Sequence, residues 1–131
     1  MHPFRAAVEA EDFDALQALL SPDVTFFSPV AFKPYRGRAL VGAILRGVGR
    51  VFEDLVYVRE LYDDDGLALV FETRIGDTTV NGVDLMRVDG DGLISELKVM
   101  VRPLSAAQAL AAAMSAQFDA IQAEAAAELG S

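Results

Sequence analysis

The sequence predicts an α+β fold: a cone-shaped, curved antiparallel sheet wrapped around three N-terminal helices, with an extra C-terminal helix. Three observations carry this. Before residue 54, apolar residues recur at helical spacing in three separate stretches. From Leu55 to Arg102 the apolar period changes to two, and turn signals divide the stretch. Beyond Pro103 the chain turns alanine-rich and keeps one apolar stripe at helical spacing.

Residues 3–20 read as two short helices. Pro3 suits a first helical turn, and Phe4, Ala7 and Val8 repeat at helical spacing. Asp12 is a candidate cap for the second helix, which carries Phe13, Leu16, Leu19 and Leu20. Ser21-Pro22-Asp23 reads as a stop, because a residue before proline avoids the helical region. The β-branched and aromatic run Val24–Ser28 reads as a strand ending at Pro29, followed by a loop with at most one short strand. A third helix is expected over about 37–53, where Val41, Ile44, Leu45, Val48 and Phe52 share a face and Arg38, Arg46 and Arg50 take the outer one. Its glycines Gly42, Gly47 and Gly49 weaken it or permit close packing.

Asp63-Asp64-Asp65-Gly66, Gly76-Asp77 and Asp89-Gly90-Asp91-Gly92 are hairpin signals. They leave four strands near 54–62, 67–75, 78–88 and 93–102, joined as an antiparallel meander. Strands of that length twist and curl, and one face needs cover, which the three helices supply. Ser105 is a fair cap for the last helix, about 106–128, with Leu110, Met114, Phe118, Ile121 and Leu129 in one stripe. The expected organisation is one domain over 1–104, with the helix of 105–131 packed on it or on a partner subunit.

Composition excludes several functions. Of 131 residues, 53% are hydrophobic and 24% charged, which is the balance of a globular chain. The net charge of −9 disfavours phosphate backbones and anionic lipid surfaces, so neither nucleic acid nor membrane is an expected partner. With no cysteine there are no disulfides, thiolate nucleophiles or cysteine-held metals. The one histidine, His2, sits in an expectedly floppy terminus, which removes Ser-His-Asp chemistry and histidine-rich metal sites. No apolar run approaches the roughly 18 residues of a membrane span, and no leader pattern opens the chain, so a cytoplasmic location is expected. No metal and no cofactor are expected.

A curved sheet wrapped around helices leaves a pocket at the open end of the cone. By alternation Asp84 shares a face with Gly82 and Met86, and Leu97, Val99 and Val101 form the apolar face of the last strand. Both faces are expected to line the cone, with Phe4, Phe26, Ser28 and Tyr35 completing the pocket. A carboxyl in such a place is desolvated, which raises its pKa and keeps it as a donor. Asp84 is therefore the candidate anchor and catalytic residue; the competing reading is a carboxyl satisfied by a neighbouring hydroxyl or by water, which only shapes the pocket. Glu72 points outward if Gly76-Asp77 is a two-residue turn, and beside Asp84 if the loop has three. The Asp63–Gly66 run lacks the alternating ligands of a calcium loop and reads as an acidic turn.

Three segments, Leu20–Val30 (LSPDVTFFSPV), Pro34–Gly37 (PYRG) and Gly82–Ile94 (GVDLMRVDGDGLI), together with the helix–strand order, resemble the nuclear transport factor 2-like superfamily. Within it the chain is similar to the SnoaL-like and ketosteroid-isomerase branches over about residues 3–104. The isomerases use a carboxylate base, with a tyrosine and a protonated aspartic acid as oxyanion hole. The resemblance lays the tyrosine on Phe4, the base on Ser28 and the aspartic acid on Asp84. Phenylalanine donates no hydrogen bond and serine is a poor proton acceptor, so ketosteroid isomerase activity is not expected. The Glu-His-Trp-Asp tract of the cyclase branch reads Glu96-Leu97-Lys98-Val99 here, which also weakens ring closure.

Two classes of function stay open. One is a binding protein for a small, mostly apolar molecule, or a cofactor-independent acid–base enzyme of isomerase, dehydratase, cyclase or epoxide hydrolase type. The other is a non-catalytic interaction protein. The resemblance implies a homodimer through the outer sheet face, where Val70, Val83 and Leu85 need cover.

Overall fold

A computed structural model describes residues 1–130. Two short helices open the chain, α1 (Pro3–Glu9) and α2 (Phe13–Ala18). Asp12 caps α2 by accepting the Ala15 N–H at 3.1 Å. His2 is not floppy: its Nδ1 accepts the Phe4 N–H at 3.0 Å and its own N–H donates to Glu60. The histidine thus serves as the cap that satisfies a free donor at the start of α1.

Strand β1 (Leu20–Phe27) begins four residues earlier than expected and runs straight through Pro22. The reason is a bulge. β1 pairs in parallel with the last strand at Leu20 and again from Thr25, and the register shifts between them. A proline, lacking an N–H, is tolerated where the ladder is interrupted. Strand β2 (Tyr35–Arg36) pairs with β1, and Gly37, at φ +100°, turns the chain into α3 (Arg38–Val51). Only glycine adopts that angle without strain.

The meander follows: β3 (Glu53–Tyr62), β4 (Gly66–Ile75), β5 (Thr78–Val88) and β6 (Ile94–Arg102). Ile75 faces Thr78, so Gly76-Asp77 is a two-residue turn, with Gly76 at φ +57°. That fixes the parity of β4: Leu67, Leu69 and Phe71 are buried and Glu72 is exposed on the other face. The two acidic turns are self-capped. Asp63 Oδ1 accepts from the N–H groups of Asp65 and Gly66, and Asp89 Oδ1 from those of Asp91 and Leu93. Among the described residues the sheet has six strands in the order β2-β1-β6-β5-β4-β3.

The last helix, α4 (Leu104–Leu129), packs on this same subunit, against α3 and the sheet. The arginines expected on the outer face of α3 instead hold its neighbours. Arg46 bonds Gln17 and Asp14 of α2, Arg50 bonds Gln117 and Glu124 of α4, and Arg38 donates to the Leu20 carbonyl. The face is polar because it is clasped by polar side chains. Among the described residues no helix is long and apolar enough to cross a membrane.

Candidate functional site

The concave side of the sheet and the helices enclose a cavity of about 570 Å³. Its walls come from every layer: Phe4 of α1, Ile44 and Val48 of α3, Met114 and Phe118 of α4, and Val99 of the sheet. The cavity exists because the sheet curls away from α3 while α4 roofs the space that α1–α3 leave open.

Asp84 sits on the sheet side, 8% exposed, between its cross-strand neighbours Leu69 and Val99. Its partner is Tyr57 on β3, whose Oη donates to Asp84 Oδ2 at 3.1 Å. Since β4 lies between β3 and β5, the tyrosine reaches across a whole strand. Phe71 of β4 supports it edge-on, at 6.2 Å between ring centroids and 80° between planes. The Arg5 guanidinium stands 5.8 Å from the Tyr57 ring centroid and is itself tied to Glu9 and Glu60. Phe71 finds room because position 82 has no side chain: a Cβ there would lie 2.4 Å from Phe71 Cζ.

Burial in this apolar wall raises the Asp84 carboxyl to about 7, against a smaller opposing effect of the Tyr57 hydrogen bond. Burial and then the Asp84 charge push the Tyr57 phenol far up, so it stays protonated and donates to Asp84. At neutral pH Asp84 is divided between its two forms. Oδ2 is taken by Tyr57, and no other described residue bonds Asp84, so Oδ1 has no protein partner on the cavity wall. When protonated the carboxyl donates to a ligand carbonyl or hydroxyl; when ionised it accepts from a ligand O–H or N–H.

Six of the expected pocket residues line the cavity: Phe4, Phe26, Ser28, Tyr35, Asp84 and Val99. Gly82, Met86, Leu97 and Val101 do not. Phe71 covers Gly82, Met86 and Leu97 are sealed in the core, and Val101 packs against it. Alternation tells which way a side chain faces, and what is stacked above it decides whether it reaches open space. Ser28 spends its Oγ on the Val30 N–H, at 3.1 Å, as a turn bond at the cavity wall. Tyr35 is half-buried against Phe26. Glu72 is remote from Asp84 on the opposite face, so the two do not form a carboxyl pair.

Sequence reasoning missed Tyr57. Its hydroxyl reaches Asp84 from β3. The available signal was two aromatics with polar tips in 54–62, Tyr57 and Tyr62, of which only Tyr57 is buried. Among the described residues, no three acidic or histidine side chains are grouped to hold a metal ion.

A family model for the SnoaL-like domain matches residues 2–97. The chain belongs to the SnoaL-like family, within the nuclear transport factor 2-like superfamily. No curated protein sequence matches it. Among solved structures it is similar to a steroid delta-isomerase from Pseudomonas aeruginosa, with 39% identity, 92% of this chain and 89% of that one covered, and a TM-score of 0.86. It is also similar to an uncharacterised bacterial protein with a cystatin-like fold from Silicibacter pomeroyi DSS-3, at 35% identity, 88% and 82% coverage and a TM-score of 0.84. A putative ketosteroid isomerase from Kribbella flavida shares the fold at 22% identity, 77% and 73% coverage and a TM-score of 0.65.

Proposed function

We propose that the protein holds one small, mostly apolar molecule in the cavity, with Asp84 as its polar anchor and Tyr57 fixing the anchor's orientation. The observation that supports this is a carboxyl 8% exposed on the wall of an apolar cavity, with one oxygen bonded and the other unspent. A buried polar group with spare capacity is costly unless something completes it. The test is titration with the neutral fluorescent probe N-phenyl-1-naphthylamine, competed by co-purified lipophilic material identified by native mass spectrometry. Saturable binding displaced by that material supports the reading. Absence of probe binding, together with a native mass equal to the bare chain, overturns it.

A second reading, cofactor-independent acid–base catalysis, is favoured by the carboxyl raised to about 7 and by the similarity to a protein described as a steroid delta-isomerase. It requires a second proton-transfer group. The other carboxylates that line the cavity, Glu9, Glu11, Asp54 and Asp119, are all exposed. Turnover of a steroid substrate that is lost in Asp84→Asn would move the protein from binder to enzyme.

The same reading includes a homodimer through the outer sheet face. There Val70, Val83 and Met100 form one row across β4, β5 and β6, and Leu85 beside it is 41% exposed. An apolar row of this kind on a sheet face is the usual material of an isologous interface.

A further inference from the structure

We propose that the cavity selects a lipophilic ammonium ion, the charged nitrogen of an alkyl or arylalkyl amine seated at Asp84 among aromatic rings. This rests on the reading that the cavity holds a ligand at Asp84 and names the class of that ligand.

Charge is the first support. The cavity is lined by Glu9, Glu11, Asp54, Asp84 and Asp119, and by no lysine, arginine or histidine. Two of these acids are already paired, Glu9 with Arg5 and Asp54 with Arg74, but neither arginine reaches the cavity. Glu11 and Asp119 have no cationic partner among the described residues. In a chain of net charge −9, such a mouth repels anions and concentrates cations.

The second support lies inside. Asp84 is nine-tenths buried and turns a free oxygen to the cavity, while Tyr57, which stays a neutral phenol, donates to the other one. The elements packed around Asp84 bring no cation to it: β4 and β6 face it with Leu69 and Val99, and α3 and β2 contribute apolar residues and Tyr35. Arg5 stands at the Tyr57 ring and is spent on Glu9 and Glu60. The rings of Phe4, Phe26, Phe52, Tyr57 and Phe71 supply aromatic surface around the same space. A buried carboxylate and aromatic faces are the two groups that offset the desolvation of an ammonium ion. A neutral ligand uses the apolar walls but gains nothing from the acidic mouth.

Proton balance gives the inference a signature. With its carboxyl raised to about 7, Asp84 is mostly protonated at pH 6. An ammonium ion that binds there displaces that proton to solvent and leaves an ion pair. A neutral hydroxyl or carbonyl ligand has no such requirement.

The experiment compares 4-phenylbutylamine, 4-phenylbutan-1-ol and 4-phenylbutyrate by titration calorimetry at pH 6 and pH 8, in buffers of different ionisation enthalpy. The amine is expected to bind at least about tenfold tighter than the alcohol at pH 8, and the carboxylate not at all. Amine affinity should rise about tenfold from pH 6 to pH 8, with close to one proton released at pH 6. In Asp84→Asn the amine should lose its advantage over the alcohol. An alcohol that binds as tightly as the amine, or an amine affinity flat or falling with pH, overturns this inference and leaves the small-molecule reading standing. Failure of all three probes, with N-phenyl-1-naphthylamine also excluded, overturns both.

Discussion

Tyr57 Oη donates to Asp84 Oδ2 at 3.1 Å across the width of an intervening strand, joining β3 to β5, with the Phe71 ring packed T-shaped against the tyrosine. The bond holds one carboxyl oxygen and aims the other at the cavity. It also stabilises the ionised form of a group that burial otherwise keeps protonated.

Removing the donor tests that balance. In Tyr57→Phe the hydrogen bond that lowers the Asp84 pKa is gone while burial remains. The carboxyl ¹³C titration of Asp84 should therefore move upward from about 7. A midpoint unchanged or lowered contradicts the pairing.

Asp84 also leaves a mark on stability. Its folded pKa of about 7 lies above the model-compound value of 3.8, so the folded state binds the extra proton between them. This contribution is fully present below the unfolded pKa and is lost as pH rises through the folded one, at up to about 1.4 kcal/mol per pH unit. Urea unfolding at pH 5 and pH 8 should show Asp84→Asn gaining on the parent protein as pH rises, by roughly 2–4 kcal/mol. A difference independent of pH would mean that Asp84 is not desolvated.

Gly82→Ala probes the support beneath the pair. The new methyl meets Phe71 Cζ at 2.4 Å and the Met100 carbonyl at 2.9 Å, and the backbone contact cannot rotate away. A loss of about 1–3 kcal/mol by denaturant unfolding is expected, with a changed Tyr57 near-ultraviolet signal. Full stability would show that Phe71 does not occupy that space.

Val83→Lys addresses the outer face. It sets a charge in the row formed with Val70 and Met100, on the side of the sheet away from Asp84. Light scattering should find the parent protein at twice the chain mass and the variant at the chain mass, with probe binding retained. A parent protein that is monomeric at micromolar concentration contradicts the dimer.

Much of this architecture was readable from local chemistry. The turns at Gly76-Asp77 and Asp89–Gly92 bracket β5, and alternation within it put Asp84 on one face with Gly82 and Met86, while the side of Glu72 waited on the length of the Gly76-Asp77 turn. Asp12 announced its helix in the same local way. Tyr57 was hidden for a physical reason. Val56, Val58 and Leu61 are apolar yet 45–53% exposed, so β3 is greasy on both faces, and its register shifts between Tyr57 and Arg59. Alternation cannot choose a face across such a bulge. The parallel pairing of β1 with β6, and its start at Leu20, depend on contacts more than 70 residues apart in sequence. The packing of α4 left little trace either, because its contacts are mostly alanines and single large residues such as Ile121 seated against Gly47.

The most direct test of the central claim is to follow the Asp84 carboxyl and Tyr57 ring resonances while a saturating apolar ligand, the amine or the neutral probe, is added. The account predicts that both shift together on binding, along one saturation curve. Ligand-induced changes confined to the outer sheet face, with Asp84 and Tyr57 unmoved, would contradict it.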